Sequence, residues 1–358
     1  MILVVTPNPA VDVTYRVAEQ RIGETQRVQG VARRPGGKGL NVARVLEDAG
    51  RSTYSVLPLG GGAGRWLADA LDQLGLAHSD VAVTGETRTT VTVVDDVAHP
   101  TMFGEPGPLV SPDEWAAVTA TVDRLLDSGD VDALVVSGSL PSGTDPALVA
   151  DWVRAARRQG LLSVADCSGP ALLAAASAGA TICKPNRAEL LEATGITGDD
   201  ERSGALRLLE RGACTVVVSR GAEGIAAHTA AGVLEVPAIA GVTGNPTGAG
   251  DAATAGLVTA LLGRPDRGAA VPVERDALRS AAAFGAAAVL RAVAGEVDLD
   301  AVRRFLRTEG SPAGGVAGSP AGGVAGSPAG GVAGSPAGGV AGAPHLDLTH
   351  DHRSGSPA

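Results

Sequence analysis

The chain has 358 residues, 44% of them hydrophobic, enough to bury a large core as one domain or one domain with a small appendage. Its 29 basic and 39 acidic residues give a net charge of −10 with no Lys/Arg-rich segment, which argues against nucleic acid or an anionic membrane as the main partner; any phosphate site must be local. Cys167, Cys183 and Cys214 are an odd set without C-x-x-C spacing, so neither a disulfide framework nor a zinc site is supported, and a reducing cytoplasm is the expected location.

The chain opens on Ile2 to Val5, an apolar run too short and too poor in basic flanks for a signal peptide, and so a buried strand. No segment reaches membrane-spanning length. The strand runs into Asn8-Pro9-Ala10-Val11-Asp12, at the C-terminal end of a strand, where open α/β sheets hold ligands; Asp12 is a ligand candidate, or else a solvated loop residue. Residues 13 to 34 alternate weakly, which predicts a pair of strands projecting from the main sheet, with Arg27 on the excursion. Gly36-Gly37-Lys38-Gly39-Leu40-Asn41 then leads into an amphipathic helix. It lacks Walker A spacing, but its glycines allow close approach, and Lys38 and Asn41 add donors for hydroxyls or phosphate.

Leu57 to Gly64 ends another strand before a helix over 66–74. Arg88 to Val94 has the period-2 pattern of a half-exposed strand, and 98–103 is expected to pair with it. With residues 13 to 34 this makes a small β appendage, which needs a surface to cover: a lid over a cleft, or a dimer contact. Buried strands ending at Ser137-Gly138-Ser139, Asp166-Cys167-Ser168 and Lys184-Pro185-Asn186, with helices over 146–159, 171–178 and 202–211 between or after them, give the βαβ rhythm of a parallel sheet. Asn186 and Glu189 lie on one face of a helix start, suited to holding waters around Mg²⁺ and equally to a plain helix cap. Ser219, Gly221 and Gly224 mark a strand entering a glycine loop able to pass beneath a nucleotide.

The segment Thr243 to Gly256 concentrates the chemistry. Gly248, Ala249 and Gly250 enter a helix whose free N–H groups and dipole suit a phosphoryl group, and Asp251 sits at the mouth of that anion site, placed to take a proton from an attacking hydroxyl. An Asp in the first turn after a Gly-rich loop is also a common cap. A two-proline linker over 263–273, an Ala-rich helix over 278–290 and a last helix over 302–306 follow. Residues 311 to 342 are four copies of Ser-Pro-Ala-Gly-Gly-Val-Ala-Gly, with too little apolar bulk to offset ordering entropy; 311–358 is expected to be a disordered tail, and its His345, His350 and His352 to be solvated.

These segments in this order resemble the ribokinase/PfkB family of carbohydrate kinases, and within it the branch of 1-phosphofructokinase and tagatose-6-phosphate kinase. The residues that carry it are Thr6-x-Asn8-Pro9-Ala10-x-Asp12, Gly36-Gly37-Lys38-Gly39-x-Asn41-Val42-Ala43, Ser137-Gly138-Ser139-Leu140-Pro141, Lys184-Pro185-Asn186-x-x-Glu189-Leu190 and Gly248-Ala249-Gly250-Asp251, over roughly residues 1 to 307. The resemblance implies a doubly wound α/β domain over 1–310 with a mostly parallel, helix-flanked sheet and a small β lid from about 13–34 and 87–103, the lid mediating a homodimer. It implies Asp251 as catalytic base and Gly248, Ala249 and Gly250 as anion hole. Asp12, Gly36, Gly37, Lys38 and Asn41 fall on the sugar, and Arg27, Arg88 and Ser139 on a phosphate that the substrate already carries. Lys184, Asn186, Glu189, Ser219, Gly221 and Gly224 fall on the ATP and Mg²⁺ side. The chain departs from the pattern at Asn245-Pro246-Thr247 and at Gly104, both beside substrate or nucleotide. The expected activity is ATP-dependent phosphorylation of fructose 1-phosphate, with tagatose 6-phosphate and fructose 6-phosphate as alternatives. A non-catalytic sugar-phosphate or nucleotide sensor is the rival of another class.

Overall fold

The computed structural model describes residues 1–95, 100–263 and 272–308. The repeat tail, its histidines, most of the two-proline linker and the start of the expected 98–103 strand lie outside the described residues.

In chain order the strands are β1 (Ile2–Val5), β2 (Ala10–Arg16), β3 (Gly30–Gly36), β4 (Thr53–Leu59), β5 (His78–Ala82), β6 (Arg88–Val94), β7 (Thr101–Gly104), β8 (Ala133–Ser137), β9 (Leu162–Asp166), β10 (Ile182–Cys183), β11 (Thr215–Ser219), β12 (Ile225–Thr229) and β13 (Gly232–Val236). The helices are α1 (Lys38–Asp48), α2 (Gly61–Gln73), α3 (Pro112–Leu126), α4 (Ala147–Arg158), α5 (Gly169–Ser177), α6 (Arg187–Thr194), α7 (Glu201–Arg211), α8 (Ala249–Leu262), α9 (Arg275–Val289) and α10 (Leu299–Thr308).

Nine strands form one sheet in the order β13-β12-β11-β10-β9-β8-β1-β4-β5, parallel except for β12 and β13. β1 is buried along its length, and its alternation splits the core: Ile2 and Val4 pack with α1, α8 and α9, whereas Leu3 and Val5 pack with α3, α4 and α5. This is the doubly wound α/β architecture. The chain leaves β1 for β4 on one side and returns at β8 on the other, so strand order reverses at β1, and the crevice at that point is where open α/β sheets bind ligands.

The second sheet, β3-β2-β6-β7, realises the expected β appendage with different bounds. β2 begins at Ala10, so Asp12 stands in a strand and not in a loop, and it pairs with Arg34 of β3 and Thr90 of β6. Residues 17 to 29 connect the strands, and Arg27 lies there, exposed. Several helices start earlier than expected, notably α2, which begins at Gly61 and not at 66, while α8 begins at Ala249 and takes Asp251 into its first turn.

Candidate active site

A cleft of about 1370 Å³ runs from one face of the small sheet to α9, crossing the ends of β8, β9 and β11 and the N-termini of α1, α6 and α8. At its centre is the entry to α8. Gly248 takes the left-handed conformation at φ 83°, and a Cβ there would lie 2.8 Å from the Cβ of Ala294, so only glycine fits this turn. No side chain caps the helix; Ala249 N–H turns back to the Pro246 carbonyl (3.1 Å), and the N–H groups of Gly250 and Asp251 in the same turn face the anion site. The turn is braced by Asn245, whose N–H donates to the Val289 carbonyl (3.0 Å) and whose Nδ2 donates to the Ala292 carbonyl (2.9 Å).

Asp251 is 6% exposed and accepts from Asn41 Nδ2 at 2.9 Å. Burial and the neighbouring Asp166 carboxylate push its pKa up to about 7, against the pull of Asn41, Lys38 and Lys184. Asn41 and Lys38 lie one turn apart on α1, which starts at Gly37 (φ 104°), where a side chain would press on the Pro9 backbone at 3.2 Å.

Lys38 reaches Glu189 Oε1 at 2.8 Å and Asp166 Oδ1 at 3.8 Å. Burial works against its charge, but Asp166 and Glu189 hold the ammonium well above the usual lysine range. Asp166, at the end of β9, also faces Lys184 Nζ at 3.3 Å and accepts from Thr254 Oγ1 at 2.8 Å. Both Asp166 and Lys184 are 2% exposed. Asp166, Thr254 and the cleft-lining arginines 34 and 44 were not singled out from the sequence. A lone Asp at a strand end has no spacing signature, and only its pairing with two lysines from distant segments marks it.

Asn186 and Glu189 form a reciprocal capping box at the start of α6: Glu189 N–H donates to Asn186 Oδ1 (2.8 Å) and Asn186 N–H to Glu189 Oε2 (2.9 Å). The cap reading therefore holds, while the remaining Glu189 oxygen turns to Lys38 in the cleft. Ser219, Gly221 and Gly224 line one wall of the cleft, and the apolar wall beyond them is made by small residues of α9, including Ala281, Ala282 and Gly285.

At the other end, Asp12 is pushed up to about 6 by burial, with Arg88, Thr90 and Arg44 opposing. A Cβ on Gly36 would lie 2.1 Å from the Asp12 carboxyl carbon, so this glycine makes room for the carboxylate while not itself lining the cleft. Ser139 accepts from Asn8 Nδ2 at 3.3 Å. Arg88 lines the cleft but donates to the backbone carbonyls of Asn8 (Nε, 3.1 Å) and Glu105 (Nη1, 3.2 Å). Arg27, expected on the cleft, is not among its lining residues: pairing of β2 with β3 leaves residue 27 on the outer connection.

The donor set suits particular guests. A free helix N-terminus beside two lysines takes phosphate oxygens, and a buried carboxylate near neutrality accepts a proton. Among the described residues no three His, Cys, Asp or Glu side chains converge as a direct metal site. Glu189 Oε1, the oxygen that faces the cleft, already holds Lys38, so a Mg²⁺ beside nucleotide phosphates would reach this carboxylate through water, the usual way Mg²⁺ binds there.

The model of the pfkB family carbohydrate kinases matches residues 6–300. Among solved structures, phosphofructokinase-2 from Escherichia coli in complex with fructose-6-phosphate is 26% identical with a TM-score of 0.74, covering 86% of this chain and 98% of that one. A possible 1-phosphofructokinase from Thermotoga maritima is 25% identical with a TM-score of 0.75, covering 86% and 97%. Ribokinase from Arabidopsis thaliana, at 20% identity and a TM-score of 0.64 over 86% and 98%, shares the fold. The match over most of the chain, together with a proton acceptor at a phosphate-ready helix start, places this chain in the pfkB family of carbohydrate kinases.

Proposed function

We propose that the chain is an ATP-dependent phosphosugar kinase that transfers the γ-phosphoryl group to a hydroxyl of a ketohexose phosphate, with fructose 1-phosphate, giving fructose 1,6-bisphosphate, as the first choice. The observation that carries it is Asp251: a buried carboxylate with its pKa near 7, at the mouth of an uncapped helix N-terminus, inside a cleft whose far end holds Asp12 among arginines. ATP use follows from the family. The solved structure of phosphofructokinase-2 with fructose-6-phosphate and the possible 1-phosphofructokinase support a substrate that already bears phosphate.

In the reaction, Asp12 holds sugar hydroxyls, and Gly37, Lys38 and Asn41 with Ser139 frame the sugar. Asn41 orients Asp251 through its amide N–H, so that the free carboxylate oxygen takes the proton of the attacking hydroxyl. The N–H groups of Gly250 and Asp251, in the turn shaped by Gly248 and Ala249, stabilise charge on the phosphoryl group in flight, and Lys38 and Lys184 hold the nucleotide phosphates beside them. Glu189 and Asn186 would hold Mg²⁺ through water, and the ion when bound would supply neutralisation of nucleotide phosphate charge. Ser219, Gly221 and Gly224 support the nucleotide from below.

The outer face of the small sheet exposes Val31 and Phe103 at 59% each, which supports a homodimer through that sheet. Sedimentation velocity tests that assignment. Buried, unpaired Cys167 and Cys183 suit a reducing cytoplasm.

An ADP-release assay over fructose 1-phosphate, fructose 6-phosphate, tagatose 6-phosphate and the free sugars tests the whole reading. Turnover of a phosphosugar with higher kcat/KM than any free sugar is the expected result. Binding of sugar phosphate without ADP release would leave the sensor reading in its place.

A further inference from the structure

The start of α6 sends its side chains to different places. Asn186 closes the capping box and Glu189 reaches Lys38 in the cleft, while Arg187 between them does not line the cleft and reaches the segment that follows β11. That segment holds a single 3₁₀ turn over Gly221–Glu223, and Gly221, Ala222 and Gly224 line the cleft. Its base is fixed by the backbone: Ser219 N–H donates to the Pro185 carbonyl (3.2 Å) and Arg220 N–H to the Gly224 carbonyl (2.8 Å). Among the described residues no backbone hydrogen bond joins Gly221, Ala222 or Glu223 to another element. The tip of the turn is held instead by a fork: Arg187 Nη1 donates to Glu223 Oε1 (3.0 Å) and Nη2 to Glu223 Oε2 (2.6 Å), while Nε donates to Glu201 Oε2 (3.1 Å).

We propose that Arg187 is a positioning residue for the nucleotide, which it does not touch: its fork on Glu223 holds the cleft-lining turn in the place where ATP meets it. This rests on the proposed reaction, in which Ser219, Gly221 and Gly224 support the nucleotide. The turn lies between two glycines with positive φ, Gly221 at 57° and Gly224 at 98°, which let a ligand come close to the backbone but leave it free to move. Fixing such a turn before the ligand arrives removes an ordering cost from binding, and a planar guanidinium with both carboxylate oxygens in its grip fixes direction as well as distance. Arg187 is itself steadied by Glu201, whose side chain is 9% exposed. Glu223, in contrast, is 63% exposed, and an ion pair with so exposed a partner adds little to folding. What the fork adds is geometry. The same start of α6 carries Glu189, so Lys38 and the turn are both placed from one element.

The test is titration calorimetry with β,γ-imido-ATP and Mg²⁺, which needs no sugar, on the full chain and on Arg187→Ala, Arg187→Lys, Glu223→Ala, the double Arg187→Ala/Glu223→Ala and Arg154→Ala. Melting temperatures and the kcat and KM of ADP release, on the sugar turned over fastest, accompany it. Arg154 pairs with Asp151 at the same 2.6 Å on α4 and is the control for loss of an exposed ion pair. Arg187→Ala and Glu223→Ala should each weaken Kd for the ATP analogue by about fivefold or more. The double should be no weaker than the weaker single, because both break one contact. Arg187→Lys should fall between, since a point charge cannot make the fork. KM for ATP should rise while kcat and KM for the sugar stay within about twofold, and Glu223→Ala should melt with the wild type, as should Arg154→Ala, which keeps wild-type Kd. A Kd within about twofold of wild type in both single variants, or losses that follow melting temperature and fall equally on ATP and sugar, overturns the positioning role and leaves the kinase reading intact. A loss in Arg187→Ala with Glu223→Ala unchanged overturns the route through Glu223, as does a double whose loss is the product of the singles. A wild type that does not bind the analogue overturns ATP use itself, and the positioning role with it.

Discussion

Three carboxylates in the cleft, Asp251 and Asp166 buried and Asp12 half-buried, are driven in different directions by their neighbours. Burial raises Asp251 to about 7 and Asp12 to about 6, whereas at Asp166 the same burial is outweighed by Lys184 and Lys38, which hold it below the usual range. Asp166 is thus the permanent anion and Asp251 the titrating one. In the proposed reaction only ionised Asp251 can take the proton, so kcat/KM should fall as pH drops through about 7, which a pH–rate profile on the best sugar checks. Stability runs the other way. With a folded pKa of about 7 against 3.8 for a free aspartate, the native state binds more protons than the unfolded chain across that window, and stability declines as pH rises through it, by on the order of 4 kcal/mol. Asp251→Asn keeps the shape and removes the charge. It is expected to lose about a hundredfold or more in kcat, to melt higher than wild type at pH 8, and to match it near pH 4. Retention of a tenth of wild-type kcat would remove Asp251 as the base.

Among the elements, α8 gives a contrast between two glycines two residues apart. A Cβ on Gly248 meets Ala294 at 2.8 Å in a left-handed turn, while a Cβ on Gly250 meets no protein atom within 4 Å and faces the cleft. Gly248→Ala should therefore lower the melting temperature and activity together. Gly250→Ala should keep or slightly raise the melting temperature, since Ala is the better helix former by about 1 kcal/mol, yet cut kcat by intruding on the phosphoryl group. Equal thermal losses in both would mean that the anion hole is only a packed turn. A second element-scale device lies behind the nucleotide loop. Glu201 opens α7 and accepts from Arg187 Nε (3.1 Å), from Arg220 Nη2 (2.7 Å) and pairs with His228 Nε2 (2.7 Å), tying α6, the loop after β11 and β12 together. Glu201→Ala leaves Arg187 with Glu223 (2.6 Å) and Arg220 with Glu235 (2.8 Å) but takes the carboxylate from His228, and should cost about 1 to 3 kcal/mol, read by urea denaturation. None of that hub was visible in the sequence, because its members are scattered over four elements. The start of α8 was visible, since Gly-Ala-Gly-Asp followed by small apolar residues carries its own turn and helix signals. Period-2 alternation found the small sheet but not its register, and register decides faces, so Arg34, opposite Asp12, was passed over; Arg27 was placed on the cleft by the resemblance alone, and it lies in the connection between β2 and β3. The β12–β13 hairpin went unseen because its alternation is weak.

For the whole molecule, the family match ends at residue 300 and α10 at Thr308, so the repeats add nothing to the matched part. Deleting residues 311–358, poor in apolar bulk, should leave kcat/KM and melting temperature within error of the full chain, and a drop of several degrees in a thermal scan would assign the repeats a stabilising role. The link between the two sheets carries a mechanical consequence. Only residues 6 to 9, all buried, separate the end of β1 from the start of β2, and Asn8 among them donates to Ser139 of the cleft wall. If this link is the pivot, the sugar pocket of the proposed reaction lies next to it, and the small sheet is a lever turning close to Asp12. Asp12 lies about 7 Å along the lever and Arg16 about 20 Å, at about 3.3 Å per residue. A swing of about 10° displaces the first by about 1 Å and the second by more than 3 Å. Contacts to the sugar near the fulcrum are preserved while the far tip sweeps, so such a lever would admit and seal a substrate without letting go of it.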